Sequence, residues 1–307
     1  MSVPFIQVDE PILHTGCMLG EGPLWDPYRS ILHFVDILKR QVLHFDTRRN
    51  QLLVDQFSEP VTCLALRKGG SGLVCATSQG IAVLSGNSVS YLKKPLPSNE
   101  APYTRFNDGA CDSRGRFIVG TVQSSDGTIP GKLWSFDPST NECNVLDIGF
   151  TDGNGLGWSP DNKTLYFTDS LINRIYAYDY DLHRGSISNR RVFIDAVALG
   201  YPSDTYCDGL CIDSEGCIWS ARWAGSKITR HKRDGTVDFE VIFPKVYTVT
   251  SCCFGGPQLD QLYVTTAHCS ANDGPSHRQT EFPYSGDLFV VEFRGKFKGL
   301  PRNEILY

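Results

Sequence analysis

Six short apolar segments recur along this chain at intervals of roughly 42 to 53 residues, the period of a propeller blade. They occupy residues 31–36, 73–77, 117–121, 165–169, 218–222 and 262–266. Several follow a turn signal, such as Asp112-Ser113-Arg114-Gly115, Ser159-Pro160-Asp161-Asn162 or Asp213-Ser214-Glu215-Gly216. Most precede a second strand-like run, as at 41–46, 132–137 and 174–179, which leaves little room for helix. A unit of this size cannot bury its faces alone, so the repeat predicts an all-β fold. That fold is a six-bladed β-propeller with four antiparallel strands per blade. No linker divides the chain, so residues 1–307 read as one domain. The terminal segments 5–13 and 288–297 are expected to share one blade and close the ring. An insert at 269–285, rich in Gly, Pro, Ser and His, reads as a loop over one face.

The second regularity is chemical. About eleven residues before each middle strand stands an oxygen-bearing side chain: Glu21, Thr62, Asp108, Asn154, Asp208 and Ser251. Four of these directly precede glycine, and the glycine is expected to permit φ > 0 and keep the backbone clear of the channel. Equivalent positions at the start of the innermost strands converge at one end of a propeller's central channel. Carboxylates brought together there repel unless a cation neutralises them or one takes a proton. Carboxylate and amide oxygens are the donors that hard divalent cations prefer. The pattern therefore predicts a metal site at the channel end. A single Asp-Gly or Asn-Gly is an ordinary hairpin turn, and only the repetition in register argues otherwise.

Composition narrows the alternatives. The net charge is -5 and no Lys/Arg block appears, which argues against a nucleic-acid or anionic-membrane surface. No apolar run approaches the roughly 20 residues of a membrane helix, and the N-terminus lacks the pattern of a signal peptide. The odd count of 11 cysteines, mostly inside strand-like runs, reads as small buried hydrophobes in a reducing compartment. Cytoplasmic location follows as an expectation. Cys207, Cys211 and Cys217 have the wrong spacing for zinc. There is no metalloprotease helix motif, phosphate loop or serine-hydrolase elbow. His33 and His44 read as structural, whereas His268 and His277 lie in the long insert, within reach of the channel mouth.

The segments Gly20-Glu21-Gly22-Pro23-Leu24-Trp25, Arg105-Phe106-Asn107-Asp108-Gly109, Asn154-Gly155-Leu156-Gly157-Trp158-Ser159 and Asp208-Gly209-Leu210-Cys211-Ile212-Asp213 together resemble the senescence marker protein/gluconolactonase/regucalcin family. Ser186-Ile187-Ser188-Asn189-Arg190-Arg191 and Thr250-Ser251-Cys252-Cys253-Phe254-Gly255-Gly256 extend the resemblance. It implies a metal-dependent hydrolase of sugar lactones on a six-bladed propeller. It further implies Glu21, Asn154 and Asp208 as metal ligands, Arg105 and Asn107 as substrate-binding residues, and Asp208 as general base. Asp108, next to Asn107, is a second candidate for proton transfer, with a turn aspartate as its plainer reading. For Arg105 the plainer reading is an ion pair with Asp108 or Asp208. The family's regucalcin-like members carry a substrate-contacting Glu where this chain has Ser125.

One divalent cation is expected, calcium first, with zinc, manganese, magnesium or ferrous iron compatible with the same oxygens. The expected partner is a small-molecule sugar lactone, and the expected state is a monomer or weak dimer. A non-catalytic calcium-binding regulatory protein is the alternative that uses the same ligands.

Overall fold

In the computed structural model of the chain, described over residues 3–70 and 72–307, six sheets stand around a central channel. Met1 and Ser2, which open the segment read for a signal peptide, lie outside the described residues. The first strand of each sheet is innermost: Gly20–Asp26, Val61–Leu66, Phe106–Cys111, Gly153–Trp158, Tyr206–Ile212 and Thr248–Gly255 in blades 1 to 6. Each packs against the first strand of the next blade, and the last packs against the first, so the ring closes. Within each blade the strands run antiparallel. The six expected middle strands are all second strands. Helix among the described residues is limited to three short 3-10 turns.

Burial grades outward as the architecture requires. Every residue of Gly153–Trp158 is buried, whereas the outermost strand of blade 1, Gln51–Gln56, is largely exposed. The apolar side chains gather into six clusters, one at each junction between neighbouring blades. Aromatic rings fill these wedges, as where Trp25 of blade 1 stacks on Tyr263 of blade 6 at 5.7 Å. The ring is thus held by burial between sheets.

Closure differs from the expectation. The N-terminal strand Phe5–Gln7 pairs in parallel with Val237–Ile242, the outer strand of blade 5. Ile12 and Leu13 reach blade 6, where both amides donate to the Leu288 carbonyl and Leu13 bridges Leu288 beside the three strands. Residues 5–13 are therefore shared between two blades. At the opposite end of the chain, residues 299–306 cross the far mouth of the channel. Gly299 bridges Asp213, Ile305 bridges Arg67, and the Leu306 amide donates to the Gly115 carbonyl.

His231, at the end of Lys227–His231 in blade 5, is buried, with Nδ1 3.2 Å from the Gly235 carbonyl oxygen. Burial pushes its pKa down to about 4. A histidine whose folded pKa lies below its unfolded value of about 6.5 favours the fold above that value. The contribution is lost as pH falls toward 4. Stability should therefore decline through this window, at no more than about 1.4 kcal/mol per pH unit from this group. His231→Asn should flatten that part of a urea-unfolding profile; an unchanged slope would assign it to other groups.

Candidate metal and active site

Every innermost strand breaks register with its neighbour at the same place. The irregularities fall between Glu21 and Leu24, Val61 and Cys63, Phe106 and Gly109, Gly153 and Leu156, Cys207 and Leu210, and Val249 and Ser251. Such bulges re-aim side chains and locally raise the twist. At three of them the oxygen side chain accepts the N–H of the glycine that follows it. The distances are 3.1 Å for Glu21, 2.7 Å for Asp108 and 3.0 Å for Asn154. The acid- or amide-glycine pairs are therefore bulges in strands, and Asp108 is not a turn residue.

Five of the six equivalent positions divide between two cavities. Glu21, Asn154 and Asp208 line a cavity of about 260 Å³ together with Arg105, Asn107 and Asp152. Asp108 and Ser251 line a second cavity, of about 320 Å³, which residues 300–303 of the C-terminal segment also line. Thr62 borders neither cavity, and its buried hydroxyl has no hydrogen-bond partner. Repetition in sequence had made the six alike. The ring instead brings three of them into one cavity.

That cavity is strongly acidic. Glu21, Asn154 and Asp208 are all buried, and the Asn154 side chain beside Asp208 slightly opposes the rise in its pKa. Burial pushes the Asp208 carboxyl well above its usual range, and the charges of Glu21, Asp152 and Asp108 add to the effect. Glu21 is likewise raised by burial, then by Asp108. Asp152, half-buried at the cavity wall, is pushed up to about 6 by desolvation. Asp108 faces away from this cavity, yet it lies close enough to raise both Glu21 and Asp208. Arg105 acts in the opposite direction, lowering Glu21 and Asp152. The set thus has more buried negative charge than its one guanidinium offsets, and its donors are the oxygens a hard divalent cation takes.

Arg105 makes no ion pair with Asp108 or Asp208 among the described residues. Its Nη1 donates to Asn107 Oδ1 at 2.6 Å and to the Phe106 carbonyl at 3.1 Å. Asn107 Nδ2 in turn donates to Asp152 Oδ1 and to the Gly153 carbonyl, each at 3.1 Å. Asn107 lines the cavity as the family pattern implies, but its amide is committed within the protein. It holds Arg105 at the cavity wall.

The insert supplies Ala271, Asn272 and Gly274 to the cavity wall, whereas His268 and His277 do not border it. Ser125 is exposed and lies outside the lining. Sequence reasoning passed over Asp152. Its signal was present in the tandem Asp152-Gly153-Asn154-Gly155, where only the second pair sits in register with the other blades. Tyr206, Leu171 and Trp223 also border the cavity and carried no motif.

Among the described residues, Asp213 with Glu215 and Cys217 also brings ligand-type atoms together. Arg230 already fills it, donating to Asp213 Oδ2 at 2.8 Å, Glu215 Oε2 at 2.5 Å and Asp238 Oδ2 at 2.7 Å. All 11 cysteines are free. Cys211 Sγ lies 3.6 Å from Cys252 Sγ, and Cys207 accepts from Arg222, so the three cysteines near the fifth blade form no common site. No helix among the described residues is long and apolar enough to cross a membrane.

Residues 19–268 match the pattern of the SMP-30/Gluconolactonase/LRE-like region. The chain is 32% identical over 279 residues to regucalcin of Xenopus laevis, covering 89% of this chain and 90% of that one. Its structure superposes on that of a luciferin-regenerating enzyme with a TM-score of 0.87 at 28% identity, covering 98% and 99% of the two chains. A gluconolactonase of Xanthomonas campestris gives a TM-score of 0.70 at 18% identity, covering 92% and 88%, a likeness of fold alone.

Proposed function

The chain belongs to the SMP-30/gluconolactonase/LRE-like family, and we propose that it hydrolyses sugar lactones with a divalent cation held by Glu21, Asn154 and Asp208. The observation that carries this reading is the convergence of those three side chains, with Arg105, in one cavity. The fit to a cation rests on the donor chemistry. Two buried carboxylates and an amide oxygen meet there, and Arg105 is the one basic residue in the lining. Calcium, magnesium and manganese suit such oxygens, and zinc or ferrous iron suits a three-ligand open set.

Bound there, the cation would polarise the lactone carbonyl as a Lewis acid. The chain's own groups supply the rest. Asp208 removes a proton from the attacking water as the water oxygen bonds to the carbonyl carbon. The Arg105 fork donates to substrate oxygens and orients the ring. Asn107 and Asp152 hold that fork in place. The ring C–O bond then breaks, and the departing oxygen recovers a proton to give the hydroxy acid. In this reading the proton passes through Asp208, and Asp108 lines the other cavity.

Arg105→Ala should mainly raise KM, by about tenfold or more, as expected for loss of a hydrogen bond from a charged donor. A larger fall in kcat than rise in KM would assign Arg105 to the transition state instead. The reading as a whole is tested with hexono- and pentonolactones in a pH-stat, against calcium, magnesium, manganese, zinc and ferrous iron, with spontaneous hydrolysis subtracted. Cation-dependent turnover that a chelator removes supports it. Chelator-sensitive calcium binding with no turnover of any lactone would replace it with the non-catalytic calcium-binding role.

A further inference from the structure

Resting on the sugar-lactone reading, we infer that Asn272 and Tyr206 recognise the hydroxyl groups of the substrate, which makes the insert of blade 6 part of the substrate site. A polyhydroxylated ring needs a partner for each hydroxyl that it takes out of water. Most polar groups of the cavity are already engaged. Glu21, Asn154 and Asp208 serve the cation, the Asn107 amide donates to Asp152 and Gly153, and Arg105 is a donor only. The Ser170 hydroxyl is itself buried, and Ser125 lies outside the lining. Asn272 and Tyr206 line the same cavity, and neither side chain has a hydrogen-bond partner among the described residues.

The fold fixes both residues in place. Blade 2 gives the cavity no residue, and the insert reaches over to that side. Its Ala271 is buried among Leu19, Ile37 and Val61, at the junction of blades 1 and 2. The Gly274 amide donates to the Ala271 carbonyl at 3.0 Å, and a Cβ on Gly274 would lie 2.4 Å from the Cys269 carbonyl oxygen. Gln279 ties the two ends of the insert, accepting from the Cys269 amide at 2.9 Å and donating to the Ser285 carbonyl at 3.0 Å. The tip is thus a fixed turn. Asn272 within it is left-handed at φ 50°, a conformation asparagine tolerates better than most side chains. It stays exposed, so packing does not account for its placement. On the facing edge, Tyr206 pairs across the ladder with Trp223, and Trp223 packs against the cluster that holds Ala271. Asn272 and Tyr206 therefore flank one contact between the insert and blade 5. A ring whose carbonyl meets the ligand set turns hydroxyl-bearing carbons to this edge, where each side chain offers a donor and an acceptor.

The test uses the full protein with its activating cation on D-glucono-1,5-lactone and D-galactono-1,4-lactone. Their bare counterparts, δ-valerolactone and γ-butyrolactone, have the same rings without hydroxyls. Asn272→Gly removes the amide and keeps the left-handed turn, and Tyr206→Phe removes only the hydroxyl. Each should raise KM for the aldonolactones by about fivefold, the loss of one neutral hydrogen bond, and more than it lowers kcat. Each should lower kcat/KM for an aldonolactone relative to its bare ring by a similar factor, a ratio that a merely distorted cation site would not move. Asn272→Asp, which keeps the turn and an acceptor, should recover part of the loss. Unchanged KM for the aldonolactones in both variants, or equal losses on hydroxylated and bare rings, would overturn this inference and leave the lactone-hydrolase reading standing. Turnover of no lactone by the parent with any cation would overturn both.

Discussion

Asp208→Ala should lower lactone turnover by about a thousandfold or more and abolish the thermal stabilisation that a divalent cation confers on the parent protein. The first effect follows from loss of the proton acceptor, worth roughly two to four orders of magnitude, together with one cation ligand. The second follows from linkage. A ligand at about 100 times its Kd stabilises the fold by about 2.7 kcal/mol. At roughly 1.5 °C per kcal/mol for a chain of 307 residues, the parent should melt a few degrees higher with cation than with chelator.

The same variant carries a sign reversal that separates a site effect from general damage. Burial raises the folded-state pKa of Asp208, and Glu21 raises it further. A carboxyl raised in this way favours the fold below its unfolded pKa, and the benefit is lost as pH rises through the folded value. In chelator, above the ordinary carboxylate range, the folded parent therefore bears the cost either of protonating Asp208 or of holding its charge beside Glu21, Asp152 and Asp108, and Asp208→Ala removes that cost. The variant should melt higher than the parent without cation and lower than the parent with it. Near-normal lactonase activity of Asp208→Ala in saturating cation would end the proposed mechanism.

What the sequence made legible was whatever a period could carry. Six strand-like runs at blade spacing specify a ring, because each blade needs a neighbour on both sides to cover its faces. The six clusters between blades are the physical form of that need. Closure was less legible. Phe5–Gln7 joins blade 5 through backbone pairing with Glu240–Ile242, and a three-residue parallel strand leaves almost no mark in side-chain pattern.

The site was readable to the same depth. Glu21, Asn154 and Asp208 stand in register, and they do share a cavity. Asp108 stands in the same register and faces the other one. The difference arises at the bulge in Phe106–Cys111, where Asn107 and Asp108 point to opposite sides of one strand. A count along the chain cannot see which of the two turns toward the mouth. Asp152 escaped for a related reason, since it lies two residues outside the register. Ile37 and Leu171, which also line the cavity, come from connections, where no period operates.

The glycines that follow these side chains give the second large effect, and their role differs from the one expected. Of the four, only Gly22 uses a left-handed φ, of 55°. Gly155 and Gly209 are needed because the innermost strands of blades 4, 5 and 6 approach too closely for a side chain. A Cβ on Gly155 would overlap the Leu210 amide nitrogen and sit 2.6 Å from the Gly209 carbonyl carbon and 2.7 Å from its Cα. Those are backbone atoms of a buried strand, so no rotamer change relieves them. Gly155→Ala should therefore destabilise the protein by about 3 kcal/mol or more. It should also reduce activity, since it pushes apart the strands that carry Asn154 and Asp208. Gly157, two residues along the same strand, is the internal control. A Cβ there would meet only the ends of the Ile212 and Leu210 side chains, at 3.2 Å and beyond. Those ends can yield, and replacing glycine by alanine restricts the unfolded chain, a gain of roughly 0.4–1 kcal/mol. Gly157→Ala should then lie within about 1 kcal/mol of the parent in urea unfolding. If the two alanine variants lose stability equally, the loss comes from the strand generally, and close approach of the blades is not what these glycines serve.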